Sequence, residues 1–200
     1  MDWSIKMRYI LASGSPRRRE LLSKVIPEFE VIPAEGEETC SSKEPSKIVE
    51  ELSFQKASEI FHKILMGSNE PIVVIGADTV VSYKYRVLGK PAGKQEAVEM
   101  VGLLQGRTHS VFTGVTLFFV EDNEPRHVTF SECTRVHVSP MTEDEIWEYA
   151  DSGEPLDKAG AYGIQGLFGK YISRIDGDYY NVVGLPISRL YRELKANSLL

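Results

Sequence analysis

Several things are scarce in this 200-residue chain, and each scarcity excludes a class of protein. It has 2 cysteines, Cys40 and Cys133, and they form no CxxC pair. Two thiols do not make a disulfide framework, and a reducing cytoplasm is the expected compartment. No apolar run approaches the roughly 20 residues that a membrane-spanning helix requires. Residues 1–8 lack the apolar core of a secretory signal. The four histidines (His62, His109, His127, His137) show no HExxH or other paired metal spacing. No GxSxG elbow, Walker A loop or GxGxxG fingerprint is present, nor any repeat or low-complexity tract. Basic residues are outnumbered, with a formal net charge of −6. That balance speaks against a broad nucleic-acid-binding surface but leaves room for a local basic pocket that takes a small anion.

What remains is 42% hydrophobic and 26% charged, an ordinary globular composition with enough length for one substantial domain, in one or two lobes. In the first half, strands and helices alternate. Residues 7–12 read as a buried strand, 16–25 as a helix, and 29–32 as a short strand. Apolar residues at helical spacing mark 45–66 as a long helix, ended by Gly67-Ser68-Asn69. Residues 71–75 read as a central strand, 79–83 and 85–88 as strands around a turn, and 95–104 as a helix. The second half is richer in β-structure. Strands are predicted at 110–121 and 126–138, joined through Asp122-Asn123-Glu124-Pro125. A helix over 142–151 has Thr142 as its cap and Glu145 at the capping-box position. Residues 153–169 carry five glycines and read as a long irregular loop. A strand at 172–175 and a helix at 186–196 follow. The pattern predicts an α/β fold with a mixed sheet.

The strongest chemical signal is Ser13-Gly14-Ser15-Pro16-Arg17-Arg18-Arg19. It joins a strand to a helix, with Ser15 suited to the N-cap and Pro16 to the first turn. Cations in a first helical turn oppose the macrodipole, so three arginines there describe either a phosphate site or a basic, solvated helix start. Gly76-Ala77-Asp78-Thr79 is second. It follows an apolar strand, where α/β sheets bind ligands, and Asp78 is a candidate general base or cation ligand; Gly-x-Asp is also a common turn. The acidic run Glu35-Gly36-Glu37-Glu38-Thr39 offers one or two cation ligands within what is otherwise a solvated loop. Lys56, Lys90 and Lys158 recur beside these elements, although a lysine is by default solvent-facing. Basic residues, scattered carboxylates and no evident nucleophile fit metal-assisted hydrolysis of a phosphoanhydride better than covalent catalysis.

From Ile10 to about Leu190 the chain resembles the Maf family of nucleoside triphosphate pyrophosphatases. The resemblance rests on Leu11-Ala12-Ser13-Gly14-Ser15-Pro16-Arg17-Arg18, Gln55-Lys56-Ala57, Gly76-Ala77-Asp78-Thr79-Val80-Val81, Gly89-Lys90-Pro91, Thr113-Gly114, the run from Asp157 through Gly166, and Asn181-Val182-Val183-Gly184-Leu185-Pro186. It implies a mixed twisted sheet in two lobes with a central cleft, related to the inosine triphosphatase fold, formed by a single domain over 1–200. It implies cleavage of the α–β phosphoanhydride to a nucleoside monophosphate and pyrophosphate with a divalent cation, Mg²⁺ or Mn²⁺, bound by Asp78 and Glu38. By similarity Asp78 is the catalytic acceptor, and Ser13, Arg17, Arg18, Glu38, Lys56, Lys90 and Gln165 line the cleft, with Lys158 a further substrate contact. At the positions that separate the branch acting on dTTP and UTP from a methylated-guanosine branch, Arg17, Thr79 and Gln165 are the residues of the first, so the chain looks like the dTTP/UTP type, with the methylated-guanosine type as the alternative. A Gln amide can accept from thymine N3–H and donate to O4, and can flip to suit cytosine. Arg19 has no family role. The resemblance also implies a homodimer, and it leaves a second class open, a nucleotide-binding regulator of septum formation.

Overall fold

The structure, a computed structural model, describes residues 7–65 and 71–200. Gly67-Ser68-Asn69, the predicted helix stop, lies outside the described residues. Among the described residues, seven strands form one mixed sheet in the order β2 (Glu30–Val31), β1 (Arg8–Leu11), β3 (Ile72–Tyr83), β5 (Thr108–Glu121), β6 (Glu124–Val138), β7 (Ile172–Asp176), with β4 (Arg86–Leu88) paired to β3. The chain divides into two compact units. The first holds the described residues up to Asp78, with Thr113–Ser131 and Gly184–Leu200; the second holds Thr79–Phe112 and Glu132–Val183.

In the first unit, β1 (Arg8–Leu11) lies parallel to both β2 (Glu30–Val31) and β3 (Ile72–Tyr83), with Leu11 opposite Val31 and Ile75. Helix α2 (Pro45–Leu65) buries Val49, Ser53, Ala57, Ile60 and Phe61, the helical period expected of a face laid on a sheet. Ala57, Ile60 and Phe61 join Ile10, Ile72, Val74 and Phe118 in one core cluster. Two glycines set how closely α2 can lie. A Cβ on Gly76 would stand 2.8 Å from Ala57 N and Cβ, and closer still to the Ser53 carbonyl oxygen. A Cβ on Gly114 would run into the Val49–Glu50 backbone. Helices α1 (Pro16–Leu22) and α6 (Ile187–Ala196) bury Leu21, Leu22, Leu190 and Leu194.

In the second unit, β4 (Arg86–Leu88) is antiparallel to β3, and β6 (Glu124–Val138) is antiparallel to β7 (Ile172–Asp176). Helices α3 (Lys94–Leu104) and α4 (Glu143–Asp151) share a core with Leu88, Val111 and Phe168. The capping box of α4 forms as read, with Thr142 and Glu145 exchanging side-chain and backbone hydrogen bonds. The 153–169 segment is a string of short 3₁₀ turns packed around Phe168, whose ring centroid lies 4.8 Å from that of Tyr162 and 5.1 Å from that of Tyr149.

Three readings are corrected. Residues 71–75 and 79–83 are one strand, so Gly76-Ala77-Asp78 is neither a turn nor a strand end. Gly76 is there because a helix crosses it. The β5 (Thr108–Glu121) to β6 connection uses only Asp122 and Asn123, both at positive φ (54° and 63°), a two-residue reversal that leaves Glu124 and Pro125 inside the strand. Helix α5 (Tyr179–Val183) was not anticipated; five residues are too few for an apolar period to show.

Candidate active site

The end of β1 delivers the first group of side chains. The Ala12 N–H donates to the Ile75 carbonyl at 2.8 Å, which holds the chain beside β3 for one more residue. Ser13 then leaves the sheet, still buried. Its hydroxyl accepts from the Ser15 N–H at 3.3 Å and from Arg18 Nη1 at 3.1 Å. Ser13 therefore does the local hydrogen bonding that the sequence assigned to Ser15, which occupies the N-cap without a side-chain cap bond. Arg18 also donates from Nε to the Gly184 carbonyl at 2.9 Å, tying the start of α1 to the segment before α6. Burial lowers the Arg18 pKa, Asp78 and Glu38 push it up, and Arg17 pushes it down. The guanidinium thus sits in the field of both predicted carboxylates. Arg17 is half-buried on the same turn and Arg19 is exposed.

The second group hangs on α2. Because Gly76 and Gly114 let α2 lie close on β3 and β5, Lys56 Nζ reaches Asp78 Oδ1 at 2.5 Å and Glu38 Oε1 at 3.0 Å. The Lys56 and Asp78 side chains are 15% and 13% exposed, and Glu38 is 51% exposed. A screened surface pair contributes little, but a pair this enclosed leaves a costly unpaired charge when either member is removed. Lys56, Asp78 and Glu38 are therefore one charge cluster.

Sequence reasoning missed how Glu38 is held. Glu51, Gln55 and Glu59 repeat every four residues, and so share a face of α2. Glu59 accepts from the Glu35 and Gly36 N–H groups, each at 3.0 Å. Gln55 clamps Thr39, accepting from its N–H at 3.1 Å and donating to its carbonyl. Glu51 accepts from the Ser41 N–H at 2.9 Å. The acidic loop is thus fastened to the helix on both sides of Glu38. The repeat was visible in the sequence; that a loop 10 to 24 residues away in sequence would supply its donors was not.

The remaining candidates belong to the second unit. Thr79 is half-buried on β3, Lys90 is exposed beyond β4, and Gln165 is exposed in the 153–169 segment. Lys158 turns back on its own loop, its Nζ donating to the Glu154 carbonyl at 2.6 Å and to Asp157 Oδ1 at 2.7 Å.

Among the described residues, no group of three or more His, Cys, Asp or Glu stands together as a metal cage. The donor set is Asp78 and Glu38, converging on one ammonium. Two carboxylates suit a magnesium-type ion, which keeps waters and completes its shell with phosphate oxygens, rather than a permanently coordinated structural metal. The residues present fit such an ion.

The profile of the family described as "Maf-like protein" matches residues 8–197. A protein of Agathobacter rectalis named dTTP/UTP pyrophosphatase is 49% identical, covering 93% of this chain and 95% of its own. Its namesake in Bacillus anthracis is 51% identical over 94% of both chains. That of Carboxydothermus hydrogenoformans is 49% identical, over 94% of this chain and 98% of its own. A solved nucleoside-triphosphatase / dITP/XTP pyrophosphatase from Mycobacterium abscessus aligns over 96% of this chain and 94% of its own, at 14% identity and a TM-score of 0.42, too low to assign a fold from it.

Proposed function

The chain belongs to the Maf family, and from that premise we propose that it is a nucleoside triphosphate pyrophosphatase hydrolysing dTTP and UTP to the monophosphate and pyrophosphate. The observation that carries this reading is identity near one half over almost the whole chain with proteins named for that activity. The charge cluster supports it in chemical terms. A water attacks the α-phosphorus, and Asp78 takes its proton. Lys56 holds the Asp78 carboxylate in one orientation, so no reorganisation is needed when the proton moves. Arg17, Arg18 and Lys90 offset the charge that builds on the phosphates, with Ser13 fixing the Arg18 guanidinium. Asp78 and Glu38 would hold a Mg²⁺ or Mn²⁺ ion, which would neutralise phosphate charge and make pyrophosphate a better leaving group as the α–β bond breaks. Thr79 and Gln165 are the proposed readers of the base, and Lys158 a substrate contact through its loop.

No helix among the described residues is long and apolar enough to cross a membrane. The two cysteines are free and exposed, which agrees with a proposed cytoplasmic location. A homodimer is the proposed assembly, checked by sedimentation.

Pyrophosphate release tests the function. dTTP, UTP, CTP, GTP and 7-methyl-GTP are compared with Mg²⁺ and with Mn²⁺, and dTTP and UTP are expected to turn over fastest. Release from none of them would leave a nucleotide-sensing regulator as the better reading. A 7-methyl-GTP rate above that of dTTP would move the protein to the other branch.

A further inference from the structure

Gln165 lies in a segment with almost no regular structure, yet the backbone beside it is pinned by one pair of side chains. Glu154 Oε2 accepts from the Leu167 N–H at 2.8 Å. Glu154 Oε1 accepts from the Tyr149 hydroxyl at 3.1 Å. The Gly166 N–H donates to the Gly163 carbonyl at 3.2 Å, which closes a turn around Gln165. One carboxylate, held in place by one phenol, therefore pins residue 167, and the 163–166 turn carries that constraint across Gln165. Gly166 completes the device: a Cβ there would collide with the Glu154 carboxylate. Tyr149 stands on α4, whose N-terminus is closed by the capping box; it is 4% exposed and packs against Phe168, so the pin is rooted in the core. Burial and the nearby Glu154 raise the phenol pKa far above its ordinary value, so the hydroxyl keeps its proton and stays a donor to Glu154.

We infer that Glu154 and Tyr149 are positioning residues for base selection, acting through Gln165. The inference rests on the reading of Gln165 as a base reader. An amide distinguishes thymine or uracil from cytosine only if its oxygen and nitrogen are presented in a fixed order and place. A side chain on an unsupported glycine-rich loop would sample many positions and lose that discrimination to conformational entropy. The Glu154–Tyr149 pair removes that freedom without touching the reacting phosphates.

The test uses Gln165→Ala, Tyr149→Phe, Glu154→Ala, Glu154→Gln and Gly166→Ala, with kcat and KM measured for dTTP, UTP and CTP. Gln165→Ala is expected to raise the KM for dTTP and narrow the dTTP-over-CTP preference by about tenfold, the scale of one lost hydrogen bond to the base. Tyr149→Phe, Glu154→Ala and Gly166→Ala should reproduce that pattern, with kcat for dTTP changed by less than about threefold. Glu154→Gln keeps one acceptor and should restore part of the preference lost in Glu154→Ala. Glu154→Ala added to Gln165→Ala should narrow the preference no further, because both act on one contact. Hydrogen exchange at the Gly166 and Leu167 amides should quicken in Tyr149→Phe and Glu154→Ala. If Gln165→Ala changes the preference and folded Tyr149→Phe and Glu154→Gln proteins leave it unchanged, the positioning role is overturned. If Gln165→Ala itself leaves the preference unchanged, the reading of Gln165 fails and this inference fails with it.

Discussion

Gly76→Ala adds one methyl group, and the structure says where it must go. The new Cβ would lie 2.8 Å from Ala57 N and Cβ, where ordinary contact begins at 3.4 Å, and closer still to the Ser53 carbonyl. Two of the three obstacles are helix backbone, which cannot rotate aside as a side-chain tip can. Helix α2 must therefore lift from β3 by roughly 0.6 Å or more. Overpacking of this kind costs about 1–3 kcal/mol. For a chain of this length that corresponds to a fall in Tm of roughly 2–12 °C. Lys56 precedes Ala57 on the lifted helix, so its 2.5 Å contact with Asp78 lengthens too. Pyrophosphate release should fall by roughly tenfold to a hundredfold, the usual cost of displacing a catalytic group by a fraction of an ångström to an ångström. The loss should be smaller than that of Asp78→Asn, because the lysine stem can extend. Thermal unfolding and pyrophosphate release are measured on the same preparations, with Gly102→Ala as the control. Gly102 lies inside α3 with nothing within 4 Å of its added Cβ, so alanine there should stabilise by about 0.4–1 kcal/mol. A Gly76→Ala protein as stable and as active as the parent would refute the view that this glycine exists to admit the helix.

The other predictions concern the charge cluster and a buried imidazole. Asp78→Asn should abolish turnover while dTTP binding stays measurable by calorimetry; near-normal pyrophosphate release would remove Asp78 from the mechanism. Lys56→Met takes the ammonium off two carboxylates, so Mn²⁺ alone, followed by electron paramagnetic resonance, should bind at least about tenfold tighter, or about 1.4 kcal/mol, while turnover falls. Equal or weaker Mn²⁺ binding would mean that the carboxylates are not a shared cation site. His109 is 3% exposed and bonds the Tyr162 hydroxyl through Nε2 at 2.7 Å; burial, with a smaller push from His137, lowers its pKa to about 4. Folded His109 thus stays neutral while the unfolded chain takes up a proton near pH 6.5, so its contribution to stability is present above 6.5 and is lost as the pH falls toward 4. Denaturant titrations between pH 6.5 and 5 should show a slope approaching about 1.4 kcal/mol per pH unit from this group. That slope should be missing from His109→Leu, whatever its absolute stability, and an unchanged slope would contradict the assignment.

Alternation of short apolar runs with helical periods was enough to place most strands and helices, because each depends on neighbours within a few residues. The α4 capping box is the clearest case: Thr142 and Glu145 are three apart, and nothing distant is needed to close it. Gly76 shows the limit. A glycine with an aspartate two residues on reads as a turn, and only a helix arriving from 19 to 23 residues earlier in the chain makes it a packing position inside a continuous strand. The site divides in the same way. Residue types and motif order, read through family resemblance, singled out Ser13, Arg18, Lys56, Asp78 and Glu38 as candidates. Tertiary structure decided that Lys56 joins the two carboxylates, that Ser13 rather than Ser15 engages Arg18, and that Glu154 and Tyr149 hold the backbone around Gln165. Propensity, capping and periodicity are short-range and are written along the chain. Close approach, burial and hydrogen-bond choice depend on which distant residues arrive together, and no local stretch of sequence carries that information.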